Sequence, residues 1–266
     1  MFYTEYDKSV LPPLLLAIVA VVAILAILLR NKPEWVRAIP TALVAVALLF
    51  IEVVKQRWNI LGEFDPYHLP FHYCSLFFVV VPLAELFGKR ASRIFRPIAT
   101  CMSFMVVVAM YVYPQGIMNT DLNFLGVDFK ATHGVIFHHL ILLYFLLVVA
   151  MRLCRPVPRD ALNMGIVGLA YASVVFPLSC VFGENYCNFL YSVIPPLESL
   201  REAFGQDLYT VFTIFAITAG AIFSAFVYLA LYYTVRGIFK LCALCFRQIK
   251  RLLCHRSKNV YFLTKN

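Results

Sequence analysis

Long apolar runs separated by short polar breaks dominate the chain. Seven runs stand out, at roughly 11–29, 38–57, 70–88, 97–113, 131–151, 161–182 and 208–235. A helix needs about 20 apolar residues to cross the hydrocarbon of a bilayer, so each run predicts a membrane helix. The fourth is short, and it is expected to tilt little or to break near Pro114. The fold class expected is all-α, a polytopic seven-helix transmembrane bundle. No Gly/Ser linker or low-complexity stretch divides the chain. Residues 1–240 therefore read as one transmembrane domain and 241–266 as a basic cytoplasmic tail. No cleavable signal peptide is expected, because Glu5 and Asp7 precede the first run where a basic segment would stand.

Composition agrees with the pattern. The chain is 62% hydrophobic and 14% charged, against about 25% charged in soluble domains. A net charge of +9 invites a nucleic-acid reading, but the charge is segregated by loop, which argues against it. Lys and Arg concentrate in cytoplasmic loops. With the N-terminus outside and the C-terminus inside, 18 of the 23 basic residues fall on the inner side. Ten of the fourteen acids fall outside, including Asp121, Asp128, Glu184 and Asp207. The basic tail is expected to lie on anionic lipid, each charge near the surface contributing about 1 kcal/mol. Cys242, Cys245 and Cys254 sit among its Arg and Lys residues, either as palmitoylation sites or as inert thiols.

The orientation gathers the chemistry at one face. Leu69-Pro70-Phe71-His72-Tyr73-Cys74 opens the third run, with Pro70 where a first turn tolerates a missing N–H. His72 and Cys74 lie at its outer end. His133 is at the outer end of the fifth run, and His138 and His139 are about 8 Å deeper. Glu52 falls in the outer half of the second run, with Gln56 one turn on and on the same face. Asn185 and Tyr186 follow the sixth run on the outer side. Ionisable groups inside a bilayer are costly and line cavities or pathways, although Glu52 is equally explained by an interhelical hydrogen bond. A cysteine in an apolar helix is ordinarily a small inert hydrophobe. A first-turn position and a histidine at similar depth favour a reactive Cys74. On a regular helix His72 and Cys74 point about 160° apart, so His133 is the better base. His138 and His139 are expected to pack or hydrogen-bond. Glu85 is expected to pair with Lys89 or Arg90.

Other seven-span chemistries fit less well. The last run lacks the lysine a retinal protein needs and the histidines a zinc hydrolase draws on. A bis-histidine haem site would use His72 with His133 or His139, but the four-ligand pattern for two haems is absent.

The blocks Glu52, Gln56 and Trp58, then Leu69-Pro70 and Cys74-Ser75, then His133-Gly134, then Tyr171, Phe176-Pro177, Gly183 and Asn185-Tyr186 resemble the YwaF-like membrane proteins of bacteria. These are related to the animal transmembrane protein 164 family. The match runs over about residues 50–190; beyond Tyr186 the chain has Phe204-Gly205-Gln206-Asp207 in place of an aromatic, proline-containing segment. The resemblance implies an acyltransferase that moves acyl chains between phospholipids, with Cys74 and His133 as the essential cysteine and histidine. It also implies a multi-pass protein of a bacterial plasma membrane.

The function expected is a Cys74/His133-dependent phospholipid transacylase of the outer leaflet. His72, Glu52, Gln56, Asn185 and Tyr186 would bind substrate or orient the base. No cofactor and no metal is expected, and the partners are membrane phospholipids, not nucleic acid. The alternative is a non-enzymatic transporter or binding protein for a small solute or lipid, with Glu52 and His133 as contacts. Whether Cys180 and Cys187 are joined is open.

Overall fold

The computed structural model describes the backbone of residues 5–62, 64–112, 129–192 and 195–263. Asp121 and Asp128, and the side chains of Cys242, Cys245 and Cys254, lie outside the described residues. The described chain is all-helical. Its helices are α1 (Glu5–Leu29), the short α2 (Glu34–Arg37), α3 (Ile39–Leu61), α4 (Phe77–Leu86), α5 (Gly88–Val112), α6 (Phe129–Ala150), α7 (Arg159–Phe182), α8 (Pro195–Phe204) and α9 (Gln206–Leu263). Short 3₁₀ turns occupy Pro66–His68, Tyr73–Leu76 and Tyr186–Asn188.

Six helical stretches among the described residues are long and apolar enough to cross a membrane. The third predicted run is the exception. Its helical part, Tyr73–Leu86, belongs to the shorter apolar helices, about 21 Å at 1.5 Å per residue against about 30 Å of hydrocarbon. Residues 66–72 go into a 3₁₀ turn and an aromatic loop instead of helix. Pro70 therefore does not start the helix. His72, extended at φ −67° and ψ 147°, is its N-cap. The fourth run differs in the other direction. α5 begins at Gly88, so its polar first turns are helical and Pro97 lies inside it.

Helix ends follow local chemistry. Pro40 sits in the first turn of α3, where its missing N–H costs nothing. α7 ends at Gly183, whose φ of +70° is the left-handed conformation that closes a helix. The amides of Gly183 and Glu184 both turn back to the Ser179 carbonyl. α9 runs without a break past its apolar part, Gln206–Ile238, into the basic segment.

Only 11% of the apolar stretch of α1 is buried against 50% in α5 and in the Thr132–Ala150 part of α6. α1 is therefore peripheral, and α5 and α6 are central. The core joins Leu48 of α3, Phe77 and Ala84 of α4, Met102 of α5, Tyr144 of α6 and Ala225 of α9. Small residues let α7 and α9 approach closely: a Cβ at Gly168 would come within 3.2 Å of the Thr218 Cα. Such contacts replace the hydrophobic drive that lipid cannot supply.

One polar knot ties four helices together. The Glu85 carboxylate accepts two hydrogen bonds from the Arg96 guanidinium, at 2.8 and 2.9 Å. It accepts two more from the Thr41 and Tyr144 hydroxyls, at 2.7 and 3.1 Å. This corrects the expected pairing with Lys89 or Arg90, both of which are exposed. A buried carboxylate requires a partner that also reaches inside. Arg96 lies two turns into α5 on its buried face, whereas the nearer cations point to solvent.

Candidate functional site

At the opposite end of α3 from the Glu85 knot, a loop and a helix face build a second polar cluster. Asn59, fully buried, shapes the loop that follows. Its amide donates to the Asp65 carbonyl at 3.1 Å, and its carbonyl oxygen accepts from the Asp65 N–H at 3.0 Å. Asp65 then caps the 3₁₀ turn by accepting from the Tyr67 N–H at 3.0 Å, and its other oxygen lies 3.2 Å from His68 Nε2. One turn back along α3, Gln56 Nε2 donates to the His68 carbonyl at 2.9 Å. The loop is thus held against α3 at two successive turns.

The same Gln56 amide also donates to Glu52 Oε1 at 2.7 Å. Lys55 Nζ stands 2.7 Å from that oxygen. The other carboxylate oxygen faces α6, where His133 Nε2 is 3.7 Å away. The Glu52 side chain is 3% exposed and that of His133 is 10% exposed, so the pair is screened from bulk water. His133 stacks on Phe137 of its own helix. Beside the cluster runs an open groove of about 630 Å³, walled by Leu49, Val53, Ile60, Leu61 and Phe78 and by Glu52, Gln56 and Arg57.

Cys74 lies in the 3₁₀ turn that leads into α4, half-buried and free. Among the described residues, no hydrogen bond joins it to His133. The link is indirect: Phe78, one turn beyond Cys74, forms part of the groove wall that Glu52 and Gln56 share.

The neighbour of Cys74 in the chain is tied to a second thiol. The Tyr73 N–H donates to Cys187 Sγ at 3.2 Å, and that sulfur lies 2.7 Å from the Tyr171 hydroxyl. Tyr171 in turn donates to the Phe71 carbonyl at 2.6 Å. With its one proton so used, Tyr171 accepts from the Cys187 S–H. Cys187 adopts φ +51° and Asn188 φ +62°, a tight reversal that turns the thiol inward. Cys180, by contrast, is exposed on α7, and both cysteines are free, so the two are not joined. Burial pushes the Cys187 thiol up from its ordinary range.

His72, Asn185 and Tyr186 lie around this reversal. His72 Nε2 donates to the Tyr67 carbonyl at 3.1 Å, and its ring packs edge-on against Tyr67 and Tyr186, at 4.7 and 5.2 Å. Desolvation brings its pKa down to about 4, so the ring is neutral near pH 7. Tyr186, fully buried, donates its hydroxyl to the Pro66 carbonyl. Burial pushes that phenol up to about 12, which keeps it a donor. The Asn185 side chain accepts from the Leu190 N–H at 2.9 Å and donates to the Tyr191 carbonyl at 2.8 Å. It folds its own loop. His138 and His139 donate from Nδ1 to the carbonyls of Gly134 and Val135, at 2.6 and 2.7 Å, within their own helix.

Of the residues the sequence singled out, Glu52, Gln56 and His133 thus meet directly. His72, Tyr186 and Asn185 brace the two loops. The sequence did not point to Lys55, Asn59 or His68; the roles of Asn59 and His68 depend on how the loop after α3 folds back. The spacing of Glu52, Lys55 and Gln56 on one helical face was the available signal for Lys55. Among the described residues no group of three or more His, Cys, Asp or Glu is placed to hold a metal ion.

A family model, that of the TMEM164 family, matches residues 3–233. The chain belongs to the TMEM164 family. The match takes in the whole Glu52–His133 cluster, Cys74 and the Cys187 reversal, and it ends within α9. With its apolar helices, this family member is a multi-pass membrane protein. Neither a curated protein nor a solved structure matches the chain.

Proposed function

We propose that this TMEM164-family protein is a thiol-dependent phospholipid transacylase, with Cys74 as nucleophile and His133 as general base. The observation that carries the reading is the buried Glu52 carboxylate 3.7 Å from His133 Nε2, beside an apolar groove. A carboxylate there orients the imidazole and stabilises its protonated form. The apolar groove walls match an acyl chain. Expulsion of water from such a site strengthens both effects.

In the reaction proposed, His133 takes the Cys74 proton and the thiolate attacks the acyl carbonyl of a phospholipid. A C–S bond forms and the acyl C–O bond breaks. The proton on His133 passes to the departing lysolipid oxygen. A second lysolipid hydroxyl then gives its proton to His133 and attacks the thioester, and the thiolate leaves. One ester replaces another, so no energy source is required. Tyr73 and Ser75 already direct their N–H groups to Cys187 and to the His72 carbonyl. The oxyanion role therefore narrows to the Cys74 N–H. Catalytic hydrogen bonds often tighten only in the substrate complex, and the thiol and imidazole are proposed to meet when an ester lies between them. His72 and Tyr186 line the headgroup side. The basic tail rests on anionic lipid, and the protein works in the outer leaflet of the plasma membrane.

A second reading, a non-enzymatic binding protein or transporter, is favoured by one fact: among the described residues Cys74 and His133 share no hydrogen bond, whereas the Lys55–Glu52 ion pair with His133 beside it suits a small polar ligand. Mass analysis of the Cys74 peptide after exposure to phospholipid separates the two. The transacylase reading expects a fatty-acyl adduct on Cys74 and loss of acyl exchange in Cys74→Ala. Undiminished exchange in Cys74→Ala, with no adduct, supports the second reading instead.

A further inference from the structure

At the other end of the bundle, about 22 Å along the helix from Glu52 at 1.5 Å per residue, Arg30, Arg37 and Arg152 converge. The end of α1, the short α2 and the end of α6 enclose a cavity of about 440 Å³. Its walls carry these three arginines with Asn31, Ala26 and Ile27, and no acidic residue. We propose that this cavity is a binding site for the phosphate group of an anionic phospholipid, independent of the Glu52–His133 cluster.

Charge alone is an insufficient argument, because arginines near helix C-termini offset the negative end of the helix dipole. Two helix ends meet here, α1 at Leu29 and α6 at Ala150. Each presents about half a negative charge, against three guanidinium groups. A surplus of about two positive charges remains. The nearest carboxylate on α2, Glu34, is directed elsewhere, lying 3.6 Å from Arg96. Neither Arg30 nor Arg152 has an ion-pair partner among the described residues.

The arginines are also arranged. Arg37 Nη1 donates to the Met151 carbonyl at 2.5 Å, which fixes the guanidinium across the gap between α2 and α6. Its buried Nε has no hydrogen-bond partner. A buried donor left unmet is costly, and an anion in the cavity would meet it. Arg152 follows α6 at φ +55°, a conformation that favours glycine or asparagine. A cation there is tolerated at a cost in backbone strain, and its N–H turns back to the Val149 carbonyl at 3.1 Å. Ile27 on the rim is 65% exposed, as are other lipid-facing residues of α1. An acyl chain can therefore lie along α1 while its phosphate enters the cavity, which selects a phospholipid over a free anion. Basic pockets between helices at the membrane boundary bind such headgroups.

The test uses the full chain purified in detergent and mixed micelles carrying either phosphatidylglycerol or phosphatidylcholine, with bound lipid counted by native mass spectrometry. The site variant is Arg30→Gln with Arg152→Asn. Both side chains are exposed, and asparagine accepts the φ of position 152. The control variant, Lys89→Gln with Arg90→Gln, removes two exposed charges from the first turn of α5. Wild type and control are expected to retain phosphatidylglycerol over phosphatidylcholine, and the site variant to bind it on the order of tenfold more weakly. Displacement by inorganic phosphate would assign the phosphate group itself as the ligand, and its failure to displace would assign the intact lipid. Equal phosphatidylglycerol binding by wild type and site variant, or an equal loss in site and control variants, would overturn the proposal.

Discussion

Glu52 is the residue on which the reading of the site turns. Its two oxygens do different things: one is held by Gln56 and Lys55, and the other faces His133. A purely structural Glu52 would leave chemistry proportional to the folded fraction. An orienting Glu52 would not. Glu52→Gln keeps an acceptor for the Gln56 amide and removes the charge beside His133. Under the proposed mechanism it is expected to lower kcat for acyl exchange by about 10²-fold with little change in KM. Single-turnover acyl transfer, measured alongside a melting curve of the same preparation, checks it. A fall in activity that merely tracks lost folding would assign Glu52 to packing. Glu52 and Gln56 were legible as one helical face because a spacing of four is local. Asn59 was not, because its partner Asp65 comes from a loop whose path no periodicity encodes. Cys187 was visible only as a cysteine near the outer face. Its inward turn depends on two consecutive left-handed residues, Cys187 and Asn188.

At the scale of elements, α4 and α5 show how a polar contact decides a boundary. Apolar length alone starts the fourth run near residue 97, yet the helix begins at Gly88 because Arg96 has a partner inside. Glu85 is fully buried and accepts four hydrogen bonds from three helices. Removing one member of such a pair strands the other charge, at about 3–5 kcal/mol, whereas replacing both with apolar residues is often neutral. Arg96→Met is therefore expected to destabilise the fold strongly. The double variant Arg96→Met with Glu85→Leu is expected to recover much of that loss. Thermal unfolding in detergent of the two single variants and the double variant measures the coupling. The short third element has a related cause. Residues 65–72 spend hydrogen bonds on Asn59, Gln56, Tyr171 and Tyr186 rather than on another helical turn.

For the whole molecule, the two ends of the bundle carry opposite chemistry. Arg30, Arg37, Arg96 and Arg152 gather at one end, with Glu85 among them. Glu52, His133, Asp65 and the Cys187 reversal gather at the other. Basic loops remain on the cytoplasmic side, so the Glu52 end is expected to face outward. Cysteines introduced as Glu202→Cys and Arg155→Cys, each in a background with Cys180, Cys242, Cys245 and Cys254 replaced by Ser, test this in intact cells. A membrane-impermeant maleimide is expected to label the first and to spare the second until the membrane is opened. The reverse pattern would move the proposed chemistry to the inner leaflet.

The sequence by itself determined the class and the broad placement. Apolar runs near 20 residues require helices, because a backbone in hydrocarbon must satisfy its own hydrogen bonds. Charge segregation divides the loops, and a spacing of four put Glu52 and Gln56 together. Those are local properties, and they survive in any packing of the helices. Tertiary structure decided what depends on residues distant in the chain. It set the pairing of Glu85 with Arg96, the approach of His133 to Glu52, and the shortening of the third helix around Tyr73–Leu86. It also set the thiol of Cys187 against Tyr171 and Tyr73. Each of these is a contact between separate elements. The geometry of such contacts comes from packing and hydrogen-bond satisfaction, not from periodicity.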